Sequence, residues 1–328
     1  MRKTIAVILG MALLLGAAAV YADQGGVVRF ATLPPGPGHP EGLAADSRGN
    51  IYVATFEFNP PNAIHIFSPS GRLLDTISLP SAVPLGLAFD TSGNLYVANF
   101  GGGKVLKFSP PFIAGSLPVA TYNVCTFVIF VDCGLNAMAF DAAGNLYVSD
   151  SFGGKVYKVA LPGGTVSLFV ADEMLKPAPP PHGFPPFGAN GLAFSADGNT
   201  LFVANTADDR ILKVNVTTKA VTPFAESING ADGILFDRQG RLWVAANQAD
   251  EIVALDGDGR IVDRRGSFEG IGPDGAVKGL IFPASIVISR GSLFVTNAAL
   301  ALTGTDSEPE VDVTTFTISR IPLGGERD

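Results

Sequence analysis

The chain is poor in the residues on which most familiar active sites are built. Of its 328 residues, three are histidine, two are cysteine and one is tryptophan, and only 16% are charged. The two cysteines, Cys125 and Cys133, form no Cys-x-x-Cys pair and no Cys/His ligand spacing, which excludes zinc-finger and dithiol-redox classes. No Lys/Arg cluster exists beyond the N-terminus. With 22 basic residues against 30 acidic ones, the formal charge of −8 makes nucleic acid and anionic membranes poor partners. A nucleophile elbow, a P-loop, a dinucleotide fingerprint and an HExxH helix are all missing, and nothing suggests a serine triad.

Long apolar runs are also missing, with one exception. Ile5 to Val20 follows the basic pair Arg2 and Lys3 and leads into Val20-Tyr21-Ala22, where a signal peptidase would cut. The run is short for a membrane span, and polar Asp23-Gln24-Gly25-Gly26 follows at once. Residues 1–22 therefore read as a signal peptide and 23–328 as the mature chain, exported to the periplasm or the cell exterior, with no stable membrane insertion after cleavage. An oxidising compartment permits a Cys125–Cys133 bridge. Two buried thiols are the alternative, and the bridge is the preferred reading. The segment 126–132 between them reads as strand-like.

What the chain has in quantity is turn formers and phenylalanine: 39 Gly, 24 Pro and 23 Phe, suited to many short strands. One pattern recurs six times: EGLAADSRGNIYVAT from Glu41, LGLAFDTSGNLYVAN from Leu85, NAMAFDAAGNLYVSD from Asn136, NGLAFSADGNTLFVAN from Asn190, DGILFDRQGRLWVAAN from Asp232, and a worn ASIVISRGSLFVTN from Ala284. Each copy gives a buried strand, a tight Asp-x-x-Gly turn and an alternating second strand. A third strand such as KVLKFS at Lys104 and a fourth after a short turn complete a unit, and four strands per repeat is a propeller blade. The sixth copy has only three strands. VVRFATL from Val27 supplies the fourth, so the predicted fold is an all-β, six-bladed β-propeller whose last blade is closed by the N-terminal strand.

Strand direction places the connections into each blade, and the turns between second and third strands, on one face. This top face carries the long segments, Tyr122 to Leu135, Glu173 to Ala189, Arg264 to Pro283 and Ala298 to Val313, while the bottom turns read as short. Loop elaboration on one face of a rigid scaffold marks the functional face. The proline-rich Lys176 to Ala189 segment offers His182, Phe184 and Phe187 as a pocket wall. The residue opening each first strand falls at the channel mouth: Glu41, Leu85, Asn136, Asn190, Asp232 and Ala284. Glu41, Asn136, Asn190 and Asp232 bring two carboxylates and two amide oxygens to one axis, a hard donor set that suits a divalent cation, Ca²⁺ foremost. The Asn and Asp that end the second strands (Asn99, Asp150, Asn205, Asn247, Asn297) recur in nearly every blade and read as turn formers. His39, a lone histidine beside a turn, reads as structural.

On these motifs the chain resembles the senescence-marker-protein/gluconolactonase (regucalcin-like) family. Paraoxonases and diisopropyl fluorophosphatase are similar in fold, and the repeat also fits non-enzymatic NHL-type propellers. The resemblance implies metal ligands in the order Glu, Asn, Asn, Asp from blades one, three, four and five, which Glu41, Asn136, Asn190 and Asp232 match. It further implies that the blade-five Asp, here Asp232, both touches the metal and acts as the base toward water. Leu85 stands where paraoxonases carry a histidine, and Ala284 or Ser285 where the fluorophosphatase does, so neither of those chemistries is implied. The expected function is metal-dependent hydrolysis of a small lactone or related ester. The alternative is a non-catalytic secreted propeller that binds a ligand or protein partner on its top face. Leu85 and Ala284 make the channel less polar than a sugar lactone would want.

Overall fold

The fold starts from its turns. In blade one, Asp46 Oδ1 accepts the backbone N–H groups of Arg48 and Asn50, each at 2.9 Å, and Gly49 takes the left-handed φ of 81° that closes the turn. Asp90, Asp141 and Asp237 repeat this arrangement in blades two, three and five. The second Asp oxygen holds the aromatic residue of the next strand: Tyr52 and Tyr96 donate their hydroxyls to Asp46 and Asp90, and Trp243 Nε1 donates to Asp237 at 2.8 Å. One short motif thus sets both the turn and the packing of the strand after it.

The computed structural model describes residues 26–36, 38–58, 61–178, 186–305 and 307–324. The signal-peptide reading of 1–22 lies outside them. The described residues form six four-stranded antiparallel sheets and a two-stranded hairpin, Phe268–Ile271 with Val277–Gly279. The first strands of all six blades touch their two neighbours in a closed ring. As predicted, Val28–Thr32 joins the last sheet, pairing with Thr317–Pro322 in a register that sets Val28 against Arg320 and Thr32 against Thr317. This gives blade six its fourth strand, with Val28–Thr32 as the outer edge in place of Thr317–Pro322.

The core lies between adjacent blades. Tyr52, Ile64 and Ile66 of blade one pack on Leu95, Val97 and Phe108 of blade two, and Trp243 of blade five packs on Leu293 and Val295 of blade six. At the centre the sheets come close enough to require glycine. A Cβ on Gly42 would lie 1.8 Å from the carbonyl oxygen of Leu85, and one on Gly191 2.2 Å from that of Asp232. Each glycine follows a channel-mouth residue and meets the channel-mouth backbone of the next blade, so the Gly of the repeat sets the width of the channel.

Two expectations about loops need correction. The bottom turns are short except in blade two. There residues 109–119 run long because they bury Phe112 against Tyr52 and Phe89, covering the lower end of the first inter-blade core. Residues 126–132 are not a strand. Val128 and Asp132 form an isolated bridge around a turn whose tip, Val128 to Val131, faces solvent, so no neighbouring strand is there to pair with it.

Candidate functional site at the channel mouth

In every blade the antiparallel register breaks at the same place. The residue before the channel position pairs with the end of the second strand: Pro40 with Thr55, Pro84 with Asn99, Leu135 with Asp150, Ala189 with Asn205, Ala231 with Ala246, and Pro283 with Asn297. The ladder resumes three residues later, which leaves the channel residue and its successor out of register. Such a bulge re-aims a side chain, and here it brings six of them to one axis. Glu41, Leu85, Asn136, Asn190, Asp232 and Ala284 all line a single cavity.

A second set of residues follows, in each second strand, the partner of the residue before the channel position: Phe56, Phe100, Ser151, Thr206, Asn247 and Ala298. In blade three, Asn136 Nδ2 donates to Ser151 Oγ at 3.2 Å, and Ser151 passes its own proton to Ala189 O at 2.7 Å. In blade four, Asn190 Nδ2 donates to Thr206 Oγ1 at 3.0 Å, and Thr206 donates to Ala231 O at 2.7 Å. Each hydroxyl is committed as a donor to a carbonyl, so it offers a lone pair to the amide nitrogen and leaves the amide oxygen free for the channel. In blade five, Asn247 Nδ2 donates to Asp232 Oδ2 at 3.0 Å.

The reading of Asn247 as a turn former is therefore corrected. Blade five reads Leu-Trp-Val-Ala-Ala-Asn where blade two reads Leu-Tyr-Val-Ala-Asn, so Ala246 takes the turn position and Asn247 falls one step further, into the second set. Of Asn99, Asp150 and Asn297, only Asp150 caps its own turn, accepting from Phe152 and Gly153; all three tie their strand to the connection entering the same blade, accepting the backbone N–H groups of Val83, Gly134 and Ile281. Asn205 does so by donating to the carbonyls of Met174 and Lys176.

The electrostatics are unbalanced. Among the described residues no Lys or Arg lines the cavity, yet two acids do. Burial raises the Glu41 carboxyl well above its usual range, and the adjacent Asp232 raises it further. Burial pushes Asp232 up to about 7, against the opposing effect of hydrogen bonds from Asn247 and Asn190. Glu41 has Phe56 behind it in place of a polar partner, and its Oε2 is shut from solvent with nothing to bond to; Asn247 Oδ1 is in the same state. An ionised carboxylate left so costs several kcal/mol. A cation among these oxygens would remove the deficit, so the residues present fit one. Among the described residues no group of three or more His, Cys, Asp or Glu side chains comes together, so any such site rests on the mixed carboxylate and amide set.

The remaining candidates fall out as follows. Leu85, Ala284 and Phe187 line the cavity, whereas His182 and Phe184 lie outside the described residues. His39 is also on the wall. Its Nδ1 sits 2.6 Å from the Ala298 carbonyl and therefore carries the proton, while its ring meets Phe316 edge-on. Cys125 and Cys133 are joined as a disulfide, Cα atoms 5.6 Å apart. Ser151 and Thr206 were not singled out from sequence. The available signal was their position directly after the recurring Asn or Asp of the second strand.

Residues 135–265, which are blades three to five, match the family model described as the SMP-30/Gluconolactonase/LRE-like region. No curated protein matches the chain. Among solved structures, a luciferin-regenerating enzyme aligns with a TM-score of 0.66 at 16% identity, covering 89% of this chain and 94% of the other. A calcium-binding protein, regucalcin, from Agrobacterium tumefaciens aligns with a TM-score of 0.62 at 18% identity, covering 89% and 94%. A gluconolactonase from Xanthomonas campestris aligns at 0.60 and 16% identity, covering 89% of each. At these identities the likeness speaks for the fold. The three blades that carry Asn136, Asn190 and Asp232 thus match the SMP-30/Gluconolactonase/LRE-like region, within a six-bladed propeller whose fold those structures share.

Proposed function

We propose that the chain is a cation-dependent hydrolase of lactones or related esters, working at the channel mouth. The observation that carries this is the orphaned, buried Glu41 Oε2 beside a second buried acid, Asp232, in a cavity that no Lys or Arg lines among the described residues. Glu41, Asn136, Asn190 and Asp232 would hold the ion, and their all-oxygen character suits Ca²⁺. When bound, a divalent cation supplies Lewis-acid polarisation of an ester carbonyl and acidifies water. The family match over blades three to five supports the reaction class.

Asp232 is the base. It takes a proton from the attacking water as the water oxygen bonds to the acyl carbon, and it returns that proton to the alkoxide when the ester C–O bond breaks. Asn247 holds the Asp232 carboxylate from behind, and the apolar Leu85 and Ala284 keep bulk water from that side of the channel. A lactone and aryl-ester panel, run with Ca²⁺ and with chelator, tests the reading. Turnover should require the ion, and Asp232→Asn should lower it about a hundredfold, the scale of a lost general base. Equal turnover in native and Asp232→Asn protein would remove Asp232 from the mechanism. No turnover anywhere on the panel would leave a ligand-binding propeller.

A further inference from the structure

The two sets of channel-mouth residues are asymmetric. Blades three, four and five are polar in both: Asn136 over Ser151, Asn190 over Thr206, Asp232 over Asn247. Blades two and six are apolar in both, with Leu85 over Phe100 and Ala284 over Ala298, and blade one places Phe56 behind Glu41. Among the described residues the other polar side chain on that part of the cavity wall is His39, whose Nδ1–H is spent on the Ala298 carbonyl and whose Nε2 lies 3.6 Å from Glu57 Oε1. A polyhydroxylated ring seated there would leave its hydroxyls unpaired, and a site of this kind selects against such a ligand.

The apolar side does not end at the cavity. Phe187, on the wall, stacks on Phe152 with ring centroids 5.9 Å apart, and Phe152 meets Phe130 edge-on at 5.4 Å. Phe100 lies beneath, in contact with Phe56, Phe152 and Phe187. Phe130 is 58% exposed, at the tip of the loop between Cys125 and Cys133, and its neighbours Val128, Ile129 and Val131 are exposed with it. Phe130 also holds a φ of 56°, a costly conformation for a bulky residue. A disulfide-pinned loop presenting four consecutive apolar side chains to water, one of them strained, is not explained by folding. It is explained if the loop extends a phenylalanine track from the surface to the site.

We infer that the substrate is a lactone or ester bearing an alkyl or aryl chain, with its carbonyl toward the channel oxygens and its chain running over Phe187 toward Phe130, the buried Phe152 packing against both rings. This rests on the hydrolase reading of the same cavity, so its test is a binding measurement that needs no turnover. The probes are γ-lactams carrying methyl, hexyl and decyl chains, with the lactam of gluconic acid as the polar comparator, titrated calorimetrically into the Ca²⁺-equilibrated protein. Each methylene taken fully from water is worth about a factor of four in affinity. Affinity should rise at least about tenfold from methyl to hexyl and rise again to decyl. Phe187→Ser should abolish the hexyl gain and Phe130→Ser the decyl gain; Phe130 is exposed, so the latter change leaves the core closed. An affinity that ignores chain length, or tightest binding of the sugar lactam, would overturn the inference. A clear chain-length trend without lactone turnover would overturn the hydrolase reading and leave the ligand class standing. Lactone turnover with a flat trend would do the reverse.

Discussion

Glu41 and Asp232 share a cavity that no Lys or Arg lines among the described residues, and that has a consequence for stability. Asp232 is raised from its ordinary 3.8 to about 7 by burial. Below 3.8 folded and unfolded chains both hold its proton. Between there and about 7 only the folded chain does, so in cation-free protein this residue makes stability fall as pH rises. Glu41, raised by burial and by Asp232, acts in the same direction. His65 opposes them: burial lowers it to about 4, so its folded form is neutral where the unfolded chain still binds a proton, and its contribution grows with pH. The measurement is therefore a difference. Melting temperatures of chelated native protein and Asp232→Asn, taken from pH 5 to about 7.5, should diverge, the native chain losing more as pH rises. Parallel curves would mean that Asp232 is not held protonated by its surroundings. At this scale the sequence was readable where a repeat exposed the exceptions. Four polar residues in a column otherwise held by Leu85 and Ala284 stood out. The role of Asn247 did not, because one inserted alanine moved it out of a column in which it looked ordinary.

The unit of function is the bulged first strand together with the residue that follows the second. The bulge aims Asn136 and Asn190 at the axis, and Ser151 and Thr206 fix which end of each amide faces it. Groups in this outer position commonly change metal affinity by about 10–100-fold. Ser151→Ala and Thr206→Val should each weaken Ca²⁺ binding, read by calorimetry, by at least about tenfold. Each also removes a hydrogen bond to the next blade, worth about 1 kcal/mol, which is too little to unfold a propeller. Native affinity in both variants would assign the hydroxyls to blade cohesion alone. Strands and tight turns were legible because Asp-x-x-Gly and alternation are local. The second set was not, since its members share no residue type. The loop at 126–132 was misread because an apolar run usually signals a strand, and only the missing neighbour in space shows otherwise.

Over the whole molecule, a closed ring built from one repeat carries an uneven site. Blades three to five, which match the family model, hold three of the four proposed ligands, while blade one adds Glu41 from the opposite side, with Phe56 behind it. The blade count and the closure by Val28–Thr32 followed from the period and from the three-strand last repeat. The long bottom turn at 109–119 did not, because its purpose is to cover a core formed between two blades. All of this converges on one claim, that the channel mouth binds a divalent cation through Glu41, Asn136, Asn190 and Asp232. The most direct test is the melting temperature of the native protein and of Glu41→Gln, each in Ca²⁺ and in chelator, with elemental analysis of the protein as purified. A ligand that binds only the folded state stabilises by mass action, so Ca²⁺ should raise the melting temperature of the native chain and raise that of Glu41→Gln far less. The same melting temperature with and without Ca²⁺, in a native protein that carries no metal, would contradict the account.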